Sequence, residues 1–97
     1  MTHAKEIRNI LHENIQKNIQ SGEKKAFQAL EVIDSCILNA AKECNVKTDV
    51  YILRIINFDN DNEKQAYIFT LRRELEKNDY KVSFSPTSGI MHISWGL

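Results

Sequence analysis

The chain predicts an α+β fold, in the order α-α-β-α-β-β, with a small mixed or antiparallel three-stranded sheet packed on helices. Three observations lead there. Residues 3–43 carry apolar side chains at helical spacing. Residues 50–56 form a short β-branched run between polar segments, the signature of a strand. Residues 79–96 alternate on either side of Pro86-Thr87-Ser88-Gly89 and read as a β-hairpin.

The first helix is expected over residues 3–20, where Ile7, Ile10, Leu11, Ile15 and Ile19 oppose Glu6, Asn9, Glu13, Gln16 and Gln20. Ser21-Gly22 is expected to break it, since glycine suits a left-handed C-terminal position. A second helix follows over residues 23–43, with Ala26, Leu30, Ile33, Ile37, Ala40 and Cys44 on its main stripe and Asn45 as terminator. Such a helix measures about 30 Å and a six-residue strand about 20 Å, so part of the stripe should overhang the sheet.

Val50-Tyr51-Ile52-Leu53-Arg54-Ile55-Ile56 is expected to be a strand, with a helical reading in competition. As a strand it is apolar on both faces, and its expected place is a sheet edge that needs a cover or a partner. After a polar loop, Asn60 or Asp61 should cap a third helix, Asn60 and Glu63 having capping-box spacing. Ile68, Leu71 and Leu75 form the buried stripe of that helix, which ends at Asn78-Asp79. In the hairpin a four-residue loop pairs Ser85 with Ile90, Phe84 with Met91, Val82 with Ile93 and Tyr80 with Trp95. Ser83 then faces His92, and Lys81 faces Ser94. Apolar meets apolar and polar meets polar, a match that a one-residue slip destroys. The hairpin's second strand is expected in the middle of the sheet, with order 1-2-3 as the alternative.

Ninety-seven residues make one domain, 1–97. Thirteen basic residues balance thirteen acidic ones, so no global field draws in nucleic acid or an anionic membrane. No apolar run approaches the roughly 18–20 residues that span a bilayer, and the first residues lack a signal-peptide core. Cys36 and Cys44, eight apart on one helix, stand about 12 Å from each other, too far for a disulfide. Reduced core thiols and a cytoplasmic location are the expectation.

Candidate chemistry is sparse. Asp59-Asn60-Asp61-Asn62-Glu63 has alternating oxygen ligands, but Lys64 and Thr70 stand where a calcium loop needs glycine and a bidentate acid. His3, His12 and His92 share no metal-ligand spacing with one another or with the cysteines. Both cysteines lie on an apolar helical stripe, which favours structural thiols over nucleophiles. The three glycines are scattered, so no phosphate loop is present. The reading is therefore no metal, no cofactor and no enzyme. The open hairpin face offers Lys81, Ser83, His92 and Ser94, joined by Arg54. Its aromatics, Tyr80, Phe84 and Trp95, face inward, which argues against a nucleic-acid stacking platform. A small nucleotide held by Arg72, Arg73 and backbone amides stays open.

Ala40-Ala41, the apolar strand 50–56, Leu71-x-x-x-Leu75-x-x-x-x-Tyr80-x-Val82 and a terminal Ile93-Ser94-Trp95 together resemble a pattern found in small uncharacterised accessory proteins of large tailed bacteriophages. The pattern covers about 55 residues and is structural rather than chemical. Asp79 stands where many such sequences carry glycine. The resemblance implies a phage-encoded protein in an infected bacterial cytoplasm, or a minor virion component. The expected function is a non-enzymatic binding protein that inhibits or sequesters a host macromolecule, such as a defence or transcription factor. A virion or assembly component and a homo-oligomer sequestering a nucleotide signal are the alternatives. Expected partners are a host protein or a second copy, with no membrane, and the candidate binding residues are Val50, Ile52, Arg54, Ile56, Arg72, Arg73 and His92.

Overall fold

One helix of 39 residues, α1 (Ala4–Lys42), dominates the computed structural model, which describes residues 1–96 and leaves the last residue of domain 1–97 outside. At 1.5 Å per residue α1 is about 58 Å long, and the whole chain measures 63 × 23 × 21 Å. The expected break at Ser21-Gly22 is absent. Gly22 is buried inside the helix, because α2 (Asp61–Lys77) crosses it there. A Cβ on Gly22 would meet the backbone oxygen of Glu63 and stand 2.8 Å from the Ala66 Cβ. Glycine at this position serves close helix approach rather than a turn. The two expected N-terminal helices are thus one.

The true C-terminus of α1 uses a left-handed residue, but not glycine. Cys44 has φ 65°, and the amide of Asn45 donates to the carbonyl of Ala40 at 2.9 Å. Cys44 is consequently exposed rather than part of the core. The same device closes α2: Asp79 has φ 68°, and the Tyr80 amide donates to the Leu75 carbonyl at 3.1 Å. The α2 start follows expectation, with the Asn60 side chain accepting from the Glu63 amide at 2.9 Å. Glu63 returns a bond to the amide of Asp59, not Asn60, at 3.1 Å.

The sheet is antiparallel with order β1-β3-β2, formed by β1 (Lys47–Tyr51), β2 (Lys81–Ser85) and β3 (Ile90–Ser94). The hairpin register is the expected one: Phe84 faces Met91, Val82 faces Ile93 and Ser83 faces His92. Tyr80 and Trp95 lie beyond the ladder and meet edge to face, with ring centroids 6.3 Å apart. β3 occupies the middle, so β1 is indeed an edge.

That edge strand sits three residues earlier than expected and is polar. Lys47, Asp49 and Tyr51 face outward, and only Val50 is buried. The apolar run after it turns into a 3-10 helix, Ile52–Arg54. Ile52 is fully buried, and its carbonyl accepts the Tyr67 hydroxyl at 2.6 Å. Leu53 packs on Gly89, whose φ of 73° makes the hairpin turn. These anchorages pull the β-branched residues out of the sheet, and the doubly apolar edge strand does not exist. Both sheet edges are blunted, β1 by Lys47 and Asp49, and β2 by Arg72, which donates to the Val82 carbonyl at 3.5 Å.

Both helices cover one face of the sheet. The core joins Ala26, Ala29, Ile33 and Ile37 of α1 to Tyr67, Leu71 and Leu75 of α2 and to Val50, Ile52, Met91 and Ile93. One buried ion pair stitches the helices where they cross. The Glu63 carboxylate, 2 % exposed, accepts from Lys25 Nζ and, at 2.6 Å, from Ser21 Oγ. The Lys25 bond, assisted by Ser21, holds its pKa below the ordinary 4.5 against the opposing effect of burial. Among the described residues no helix is long and apolar enough to cross a membrane.

Candidate functional site

The apolar stripe of α1 repeats every eleven residues. Ala4, Ile15, Ala26 and Ile37 fall at one position, and Leu11, Gly22 and Ile33 at another. Eleven residues over three turns match the straight helix closely, so the stripe stays on one side from end to end. Its second half is covered by α2 and the sheet. Its first half is not. Ile7, Ile10 and Leu11 are 52 %, 53 % and 55 % exposed, about as bare as a side chain on an isolated helix. Gly22 lies beside Glu63 and Ala66, near the start of α2, so residues 4–19 project beyond the body as an arm of about 24 Å. At its foot a cleft of about 380 Å³ is lined by Ile19, Ala66 and Phe69, and Phe69 is 64 % exposed.

The arm is a weak helix on its own account. Ile7, Ile10, Ile15 and Ile19 are β-branched, and Asn9, Asn14 and Asn18 compete for the backbone. Isolated helices of this length are marginal even with better residues. An exposed apolar stripe on such a segment is the kind of patch that marks contact surfaces in folded proteins.

A second cluster lies on the open face of the sheet, away from the helices. Cross-strand neighbours Asp49 and His92 join at 2.7 Å, Oδ1 to Nδ1, and His92 Nε2 lies 3.3 Å from Ser85 Oγ. A carboxylate only accepts, so Nδ1 carries a proton, and in the neutral ring Nε2 accepts from the serine hydroxyl. Lys47, Ser94 and Lys81 form the next row across a shallow hollow of about 320 Å³. His92 and Asp49 are 45 % and 59 % exposed, so water competes for each of these bonds.

The residues singled out in the sequence do not converge. Val50 and Ile52 are core, and Ile56 is half-buried. Arg54 is exposed, stacked on the Tyr51 ring at 4.7 Å. Arg72 pairs with Glu76 and Arg73 with Glu74 on the surface of α2, so local acids already engage both guanidinium groups. Only His92 enters a cluster. Its partner Asp49 was missed because residue 49 fell outside the expected strand, and once β1 starts at Lys47 the register sets it directly beside His92. Ser85 lay within the expected hairpin on the same face, but the register gives it Ile90 as its direct neighbour, so its approach to His92 is diagonal. The arm was visible as an amphipathic helix, but its lack of cover was not. Comparison with family models, with curated proteins and with solved structures finds no match to this chain.

Proposed function

We propose that the protein is a non-enzymatic binding protein that acts through protein–protein contact, with residues 4–19 of α1 as its contact element. The observation that carries this is the bare half-stripe of Ile7, Ile10 and Leu11 on a helix whose other half is core. Covering half-exposed aliphatic side chains returns roughly 1 kcal/mol each, enough in aggregate to support association. The resemblance to phage accessory proteins supplies the setting. A phage-encoded protein of this kind would occupy or sequester a macromolecule of its bacterial host, such as a defence or transcription factor, in the host cytoplasm. The test compares the protein with its Leu11→Asp variant for association of any kind, by sedimentation of the pure protein and by capture of a bacterial protein that is then purified and recombined with it. Association that the variant lacks, at unchanged helix content of the body, supports the reading. Identical behaviour of both proteins in both assays refutes it.

The Asp49–His92–Ser85 file favours one second reading, a serine nucleophile for acyl transfer. Ser85 Oγ would bond to the acyl carbon of an activated ester. His92 Nε2 would take the hydroxyl proton and pass it to the departing alcohol, and water would then release the acid. The exposure of His92 and Asp49 ranks this reading second. A fluorophosphonate that labels Ser85 in the protein but not in His92→Ala would favour it.

A further inference from the structure

The bare half of α1 stops where α2 begins, and its length identifies what fits there. We infer that the occupant is the same half-helix of a second copy, packed antiparallel about a two-fold axis at Leu11. The inference rests on the arm being a contact element, as proposed above. An antiparallel partner centred on Leu11 sets residue i against residue 22 − i. Leu11 then meets its own copy and Ile7 meets Ile15, so the centre of the stripe is complementary to itself, as an isologous contact requires, with Ile10 beside His12 and Ala4 beside Asn18 at the margins. Residues 4–18 map onto themselves under this operation. The partner helix therefore fills the seam from one end to the other and stops just short of the first residue of α2.

Each α1 is then covered along its whole stripe, first by the partner's arm and then by its own α2. The 11-residue period keeps both halves in line. Charge agrees with this placement. The arm's Lys5, Glu6, Glu13 and Lys17 lie more than about 100° around the helix from Leu11 and cancel, while Arg8 flanks the seam and leaves each arm with one net positive charge. Asp61, at the start of α2, stands about two residues before Gly22 along the shared axis. The partner's Lys5 arrives within about 5 Å of that level, a basic residue reaching an acidic helix start. The cleft of Ile19, Ala66 and Phe69 begins where the partner helix ends. Two arms of about 24 Å sharing one seam make a small contact, of the kind found in reversible rather than obligate dimers.

The experiment is sedimentation equilibrium of the full chain, followed by cross-linking in a Cys36→Ser, Cys44→Ser background. The expected result is a monomer–dimer equilibrium whose dissociation constant rises about a hundredfold in Leu11→Asp, two buried leucines being replaced by facing carboxylates. Under oxidation Ile7→Cys should cross-link with Ile15→Cys when the two are mixed, and neither should cross-link with itself. Self-cross-linking of Ile7→Cys would overturn the antiparallel arrangement. A chain monomeric at every concentration overturns the inference. If that monomer still binds a purified bacterial protein through Leu11, the broader reading stands without it. If it binds nothing, both fall.

Discussion

Replacing Gly22 by alanine gives opposite signs for two accounts of α1. In an exposed helix interior the change stabilises by about 1 kcal/mol, because alanine is the better helix former. At Gly22 the new methyl would point at the Glu63 carbonyl, with the Ala66 Cβ at 2.8 Å and the Tyr67 amide nitrogen at 3.1 Å. Ordinary carbon contacts need about 3.5–4.0 Å, so α1 and α2 must part by nearly an ångström. The obstructing atoms belong to backbone and a Cβ, which no rotamer change can move. Overpacking of this kind costs about 1–3 kcal/mol, and the separation also stretches the bonds from Lys25 and Ser21 to Glu63. The net expectation is a loss of about 1–2 kcal/mol, or roughly 5–10 °C in Tm for a domain of this size. Urea unfolding with an unchanged m-value, both proteins at one concentration, measures it. A gain in stability would refute the buried helix crossing.

Three further outcomes follow from the same frame. Tyr67→Phe removes the donor to the buried Ile52 carbonyl and should cost about 1–3 kcal/mol in urea unfolding; a neutral result would mean that water reaches that oxygen. Glu63 has a lowered folded-state pKa, so its contribution is present above pH 4.5 and is lost as pH falls through the folded value. Stability of Glu63→Gln should therefore depend less steeply on pH between about 5 and 3 than that of the unaltered protein, and parallel curves would contradict the assignment. Asp79→Gly relieves a left-handed residue at φ 68° and should stabilise by about 0.5–1 kcal/mol in thermal unfolding, with destabilisation as the refuting result.

The hairpin register was legible, all but the Tyr80–Trp95 pair beyond the ladder, because everything that sets it is local. A four-residue loop fixes the register, and alternation on both arms permits only one pairing of Phe84, Val82, Met91 and Ile93. The α2 cap at Asn60 was legible for the same reason. What could not be read depended on residues far away in the chain. Gly22 announces a break unless Ala66 is known to press against it. The run from Ile52 has strand composition, yet its fate is decided by the Tyr67 hydroxyl and by Gly89. Asp79 takes a left-handed φ of 68°, a conformation its residue type alone does not announce.

β3 lies between β1 and β2, although it is made after both. Until Ile90–Ser94 arrive, neither of the other strands has a neighbour in its final sheet. A growing chain can complete α1 and lay α2 along it from Gly22 onward, but Val50 has no strand partner until Met91 is made. Joining Lys47 to Ser94 is also a long loop closure, the slow kind of step in small-domain folding. The helices touch each other without help from the sheet, whereas β1 and β2 have no backbone partner but β3, so the integrity of the whole sheet hangs on the five residues Ile90–Ser94.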